Sequence, residues 1–492
     1  MALEQQPNAK GWRRLNVGII GGGIGGMCAA IALRRAGHDT TIYEKSDYAG
    51  EVGASVSCAA NGTRWLYEWR VDVEKGDGVV LKKLINRDWR TGEEVSVYDL
   101  SDYEARWGYA YNLFHRVYMH KMLMESALQP EEEAKEEEEE EEEAKEEEKE
   151  GQEAKEEEEK EEPRGPPARL LVNHGCCDID LATSTIIFTN GSRQHHDLII
   201  GADGIGSAAR TAIGVRPDKR PAEQSCLHAN VTTREAVAAG LVDYSQDSAL
   251  EYWGGQEGKL DKIVLSPCNK GTLLSYYCFF PRHKGDYASH AWGRGHDRPV
   301  HELLRPFGDL DPQVRHHLAI GKEIRPWRMW IHEPYAYITR ATVCLLGDAA
   351  HPMMPHQSQG ACMAIEDAAA LGIVFGRRCF DGQVDEALAT YQAVRLPRAT
   401  RVQAAAAKAM LNINERIGFS VNKDIASYRV DDPSKILTIE EMNLYDLYQD
   451  IDQHLAARRR LPYHAPYSHG LPKGYTLPNG VTIGDAPLPS TW

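Results

Sequence analysis

No uninterrupted apolar run of 18 residues occurs in the sequence, so nothing in it has the length a helix needs to cross a bilayer. The ten cysteines include no CxxC pair and no metal-ligand spacing, and Cys176 and Cys177 are adjacent, which is poor geometry for a bridge. A reduced, cytoplasmic setting without a metal centre is the expectation. The N-terminus opens on polar residues and its first apolar run is broken by glycines, so no secretory leader is expected. Internal repeats are lacking, and so is any excess of positive charge. The formal charge of −17 belongs wholly to residues 131–162, which carry 22 Glu against 5 Lys. The rest of the chain is balanced, which argues against nucleic acid or anionic lipid as partners. The acidic run itself has almost no apolar residue and cannot bury a core. It is expected to be a surface insertion replacing a short loop between a helix over Tyr118–Leu128 and a strand beginning at Leu170; a docking tail is the other reading.

What the chain does have is three glycine-bearing strand ends. Asn16–Ile20 reads as a short buried strand, and Gly21-Gly22-Gly23-Ile24-Gly25-Gly26 follows it directly. An Ala-rich helix over Met27–Ala36 and a second strand over Asp39–Tyr43 come next, finishing at Glu44. Strand, GxGxxG, helix and an acid about 20 residues on form the dinucleotide fingerprint: the turn is tight, backbone must approach a pyrophosphate, and the acid can hold a ribose hydroxyl. A second apolar strand, Asp197–Ile200, ends in Gly201-Ala202-Asp203-Gly204. A third, in TVCLLGDAAHPMMPHQSQGACMAIEDAAAL, runs into Gly347-Asp348, a Pro-rich turn and a helix opened by Gly360-Ala361, whose unpaired N–H groups and positive dipole end suit an electron-rich ring or a phosphate.

In this order the three motifs resemble those of the group A FAD-dependent monooxygenases, the class with the p-hydroxybenzoate hydroxylase fold, and the chain is most similar to fungal salicylate-hydroxylase-like enzymes. The likeness covers residues from about 15 to 400 apart from the insertion. Asn112-Leu113-Phe114-His115-Arg116 is a fourth match. The resemblance implies FAD as cofactor, with Gly21, Gly23 and Gly26 in the first turn, Glu44 on the adenosine ribose, and Arg116, Asp203 and Gly204 around the pyrophosphate. It places Asp348 on the ribityl or diphosphate portion, Pro352, Gly360 and Ala361 against the isoalloxazine, and the loop Val52–Ser57, with the backbone at Ser57, near the flavin. Relatives commonly carry Tyr-Gly-Gln-Gly after the second proline, where this chain has His356-Gln357-Ser358-Gln359-Gly360; His356 either lines the substrate pocket or bonds within its loop.

The expected architecture is α/β: a discontinuous Rossmann-type FAD-binding domain (12–84, 100–130, 163–215 and 340–380), a β-sheet substrate domain (85–99 and 216–339), C-terminal helices (381–460) and an irregular tail (461–492), besides the insertion at 131–162. Strand signals at Cys226–Thr233, Lys262–Ser266 and Leu273–Phe280 mark a sheet covering the flavin, and 383–417 reads as helical. The resemblance further implies NAD(P)H as transient co-substrate and O2 reacting through a flavin 4a-hydroperoxide. The favoured substrate is a phenol or hydroxybenzoate, with loss of carbon dioxide if it is salicylate. The alternatives are oxygenation of an alkene, an indole or a polyketide-like compound, an FAD-bound reductase, or a non-catalytic interaction module. No catalytic base is named. Pocket candidates are His228, Tyr252, Trp253, Tyr276, Tyr277 and His356, with Arg325 and Arg328 as partners for a substrate carboxylate. A monomer and a homodimer are both compatible with the sequence.

Overall fold

A computed structural model describes residues 11–47, 53–130, 165–285, 297–327, 329–418 and 436–459. The acidic run at 131–162, the tail at 461–492, Val52 and Arg328 lie outside the described residues.

The molecule is a mixed α/β structure built on two large sheets. The first has six strands in the order Thr339–Arg340, Val343–Leu345, Leu198–Gly201, Asn16–Ile20, Asp39–Tyr43, Arg169–Leu171, and all neighbours are parallel except the first pair. Its inner strands are largely buried, residues 17–20, Leu198–Gly201 and Val343–Leu345 being apolar, as in a sheet covered by helices. The strands Asn16–Ile20 and Asp39–Tyr43 have the bounds expected of them, and the helix between them, Ile24–Arg35, starts three residues earlier than its apolar run suggested. Register does the important work. Ile20 lies opposite both Tyr43 and Gly201, and Gly201 lies opposite Leu345. The three glycine-bearing strand ends therefore finish level, and their loops share one edge, the carboxyl edge where open α/β sheets bind ligands.

The second sheet has seven strands, ordered Lys322–Trp327, Gln224–Thr232, Leu273–Pro281, Lys262–Cys268, Ala249–Gly254, Lys83–Arg87, Glu94–Asp99. All pairs are antiparallel except Ala249–Gly254 with Lys83–Arg87. One face packs on Phe307, Leu303, Val314 and Leu318, and the other looks toward the first sheet's loops. A smaller sheet, Ser55–Cys58 with Asn112–His115 and Val79–Val80, sits between them. The C-terminal portion is dominated by the helix Val384–Leu411, which carries Pro397 within it. Among the described residues no helix is long and apolar enough to cross a membrane.

A charged network is buried where these parts meet. Asp367 and Glu366 sit on the helix Gly360–Val374. Arg395, wholly buried on the long helix, donates Nε to Asp367 Oδ1 at 2.8 Å and Nη1 to Glu366 Oε2 at 2.7 Å. Arg398 adds two bonds to Glu366, at 2.6 and 2.7 Å. The second oxygen of Asp367 meets His351 Nε2 at 2.5 Å and accepts from Gly347 N at 3.0 Å. Burial works to raise both carboxyl pKa values, but Arg398 and Arg395 at Glu366, and His351 and Arg395 at Asp367, outweigh it and hold each at about 2. Arg34, also buried, plays a similar part between residues 126–129 and 165: Nη1 donates to the carbonyls of Ser126, Ala127 and Gln129, and Nη2 to that of Gly165 at 2.8 Å.

Arg395→Met leaves two carboxylates short of a buried partner and is expected to cost about 3–5 kcal/mol, read as a fall in urea midpoint. Because the folded carboxyl pKa values lie below the unfolded ones, this contribution is complete above the unfolded values near 4 and is lost as pH falls toward about 2. The wild type should accordingly lose stability faster than the variant across that interval.

Candidate functional site

Along the shared carboxyl edge lie two cavities. The larger, about 440 Å³, runs from Gly23 and Gly25 past Ser55, Val56 and Ser57 to Gly347, Asp348, Gly360 and Ala361, and on under the seven-stranded sheet. The smaller, about 350 Å³, is bounded by Gly21 to Gly23, Glu44 to Ser46, His174 to Cys176, Asp203 and Gly204. Both have Gly23, Arg116, Ala202 and Gly204 in their walls, so together they form one elongated trough.

Backbone geometry explains the glycines. Gly21 has φ +104°, and a Cβ there would stand 2.4 Å from the Ala202 carbonyl, so the first two loops can abut only without a side chain. Gly26 lies beneath the turn, where a Cβ would come within 2.0 Å of the Gly21 carbonyl. At Gly23 and Gly360 a Cβ would meet nothing within 4 Å, which leaves the trough open beside both helix starts. Neither helix is capped by a side chain: Gly23 and Gln359 hold the N-cap positions without such a bond. Two helix ends with N–H groups left for a ligand thus border the trough. Glu44 accepts from Gly22 N and Ser46 N, each at 2.9 Å; burial tends to raise its pKa, and these bonds hold it below the usual range. Its carboxylate stays charged at the end of the second strand, with acceptor capacity remaining.

An elongated trough with a charged acid at one end, Arg116 at its middle and uncapped helix starts fits FAD. Of the residues expected at the cofactor, Gly21, Gly23, Glu44, Ser57, Arg116, Asp203, Gly204, Asp348, Gly360 and Ala361 border it, while Gly26 packs behind it. One needs correction. Pro352 is not in the wall; its carbonyl accepts from Gln403 Nε2 at 2.9 Å, and the turn faces the cavity through Met353, Met354 and Pro355. Asp203 is in the wall, but its carboxylate is engaged by Ser207 Oγ at 2.5 Å and by Ala208 N at 2.7 Å, so it shapes the turn.

Among the substrate candidates the strand alternation divides neighbours. Tyr252 and Tyr277 line the large cavity, while Trp253 and Tyr276 point into the opposite core, where Trp253 Nε1 bonds Asp311 at 3.2 Å. His228 is fully buried below the wall and meets Ser275 Oγ at 2.8 Å; the same hydroxyl accepts from Ser55 N. Arg325 is paired with Asp297 at 3.0 Å and takes no part in the cavity. His356 lines the cavity, as one of the two readings had it; its hydrogen bond runs to Lys262 on the strand across the cavity and not within its own loop. Lys262 and Arg416 are wall residues that the sequence reading passed over. The available signal was a lysine heading the strand Lys262–Cys268, whose other residues include none with a charge.

Comparisons with known proteins agree with this geometry. Residues 189–406 match the model of an FAD binding domain, and residues 19–75 match that of an NAD(P)-binding Rossmann-like domain. The chain is 29% identical over 409 residues to hispidin-3-hydroxylase of Neonothopanus nambi, covering 79% of this chain and 87% of that protein. It is 27% identical over 390 residues to 3-hydroxybenzoate 6-hydroxylase of Klebsiella oxytoca, covering 78% and 85%. Among solved structures, Klebsiella pneumoniae HpxO complexed with FAD and uric acid superposes with a TM-score of 0.61 at 22% identity, over 92% of this chain and 98% of that one.

Gly23→Ala puts a methyl into the trough without touching protein, so it is expected to leave the melting temperature of the flavin-free protein unchanged and lower the flavin content. Gly26→Val drives its side chain into the Gly21 carbonyl and should lower both; absorbance ratios after gel filtration and a thermal melt separate the two.

Proposed function

We propose that this chain, an FAD-dependent monooxygenase of the group A fold, inserts oxygen into an aromatic ring bearing an acidic oxygen, with phenols and hydroxybenzoates the favoured class. The observation that supports this most strongly is the part of the large cavity under the second sheet. Rings of Tyr252, Tyr277, Phe279 and Trp327 offer flat apolar contact, and Lys262 and Arg416 supply two basic groups in the same wall. Asp348 is the one carboxylate among the described residues of that wall, and it belongs to the loop after Val343–Leu345. A planar anionic substrate suits such a slot, because ring faces bury it and the basic groups offset the loss of water around its charge. The names of the relatives point the same way.

FAD, when bound, supplies the redox and oxygen-activating chemistry, with NAD(P)H proposed as the electron donor. The residues hold and orient. On this reading Glu44 takes the adenosine ribose, Arg116 pairs with phosphate at the junction of the two cavities, and the backbone at Ser57 and the helix start at Gly360 and Ala361 hold the ring system. The positive end of that helix favours negative charge on whatever lies against it. The aromatic wall excludes water from the reacting face.

The test follows NAD(P)H oxidation by the purified flavoprotein with salicylate and related hydroxybenzoates, while product and peroxide are measured together. Stimulated oxidation giving hydroxylated product in step with NAD(P)H and little peroxide is expected. Turnover of an alkene or indole with no product from any phenolic acid would overturn the aromatic reading.

A further inference from the structure

Lys262, Val264 and Ser266 alternate along one strand and all face the large cavity. Opposite Lys262 stands His356 from the Pro-rich turn, and Arg416 follows the long helix. Lys262 Nζ lies 2.9 Å from His356 Nδ1 and 3.4 Å from the Ala409 carbonyl, with the Phe279 ring centre 5.5 Å away. Lys262 is 3% exposed and His356 5%. A lysine this buried normally faces a carboxylate. This one has instead an imidazole, a carbonyl and a phenyl ring, while the neighbouring Asp261 is paired with Lys284 at 2.7 Å. Ser266 Oγ and His356 Nε2 are also buried, and neither has a hydrogen-bond partner among the described residues. Unpartnered polar atoms are costly inside a protein, and two of them in one cavity wall beside an unusual lysine point to a ligand oxygen.

We propose that Lys262 is a catalytic residue that takes the proton of the substrate's ring hydroxyl. The assignment rests on the aromatic reading above. In the step, the substrate O–H bond breaks and an N–H bond forms on Nζ, so a neutral amine and a phenol become an ammonium and a phenolate, with no change in total charge or electron count. The phenolate remains paired with the ammonium, Arg416 adds a second positive charge to the same wall, and the ring becomes richer in electrons where oxygen is to be added. His356 is a positioning residue: its Nδ1 fixes Nζ.

The electrostatics suit that task. Burial, and then the nearby Arg416 guanidinium, push the Lys262 amine down to about 7, against a small opposing influence of Cys226. His356 is held neutral by burial and by Lys262, and the buried Cys226 thiol is pushed up, so neither competes for the proton near neutral pH. The neutral amine therefore has a substantial population there, with a lone pair to accept a proton.

The experiment titrates the holoenzyme with 4-nitrophenol, whose ionisation is visible, and with 4-nitroanisole, the same ring without the proton. Bound 4-nitrophenol is expected to ionise at a pH about one unit or more below its value in free solution, a roughly tenfold preference for the anion. Lys262→Met should cut that shift several-fold, leaving only what Arg416 supplies, and bind 4-nitroanisole about as well as the wild type, with its flavin content checking the fold. An unshifted titration in the wild type overturns the proposal, and this holds even where the variant fails to retain flavin. An equal shift in a flavin-loaded variant overturns it too while leaving the aromatic reading standing. If neither probe binds the wild type at any pH, the aromatic reading falls and the proposal falls with it.

Discussion

The structure depends on a few buried charges. Arg395 and Arg398 reach from the long helix to Glu366 and Asp367 in the second turn of the helix Gly360–Val374, and Asp367 in turn holds Gly347 N and His351. Anchoring from the second turn leaves the first turn unencumbered. The N–H groups at Gly360 and Ala361 need no protein cap to keep the helix in place, so they are available to a ligand. Because the same carboxylate accepts from Gly347 N, the loop bearing Asp348 is tied directly to the helix that begins at Gly360. Burying four charges is expensive unless every lone pair and N–H is met, and Asn61, donating to Glu366 at 2.8 Å, helps to complete the set.

Around that anchor, strand register does the rest. Three loops separated by well over a hundred residues in sequence become neighbours because Ile20, Gly201 and Leu345 finish level, and the Gly21–Ala202 contact leaves no room between the first two. The seven-stranded sheet then turns one face to the trough and the other to its own core. The two ends of the trough are thus made by different architectural devices, loops at a sheet edge in one case and a sheet face in the other.

That difference governs how much could be read from sequence. Loop motifs carry their chemistry in consecutive residues, so GxGxxG, Gly201–Gly204 and Gly347–Asp348 were visible, as were the bounds of the first two strands. A sheet face is harder, because period-two alternation says that Tyr252 and Trp253, or Tyr276 and Tyr277, face opposite ways without saying which faces the cavity. Arg325 was a reasonable partner for a carboxylate until Asp297, distant in chemistry from any motif, occupied it. Lys262 escaped because a lysine at the head of a strand usually marks an exposed end, and only the packing of His356, Phe279 and Arg416 around it makes it an interior group. Pro352 failed for a subtler reason: the motif was right, but the turn presents its next three residues to the cavity.

The Arg34 clamp has a bearing on how such a chain can change. One guanidinium holds the carbonyls at 126, 127 and 129 and the carbonyl at 165, while Ala168 N bonds the Ala127 carbonyl at 2.9 Å, so the polypeptide departs and returns through a single fixed socket. Residues 131–162, between those two ends, carry a formal charge equal to that of the whole protein, −17, and the described cavity walls are built from residues on either side of them. Net charge, and with it colloidal behaviour, is thus written between two ends that one guanidinium holds together, so a change of length or composition there meets the rest of the described chain at a fixed pair of points.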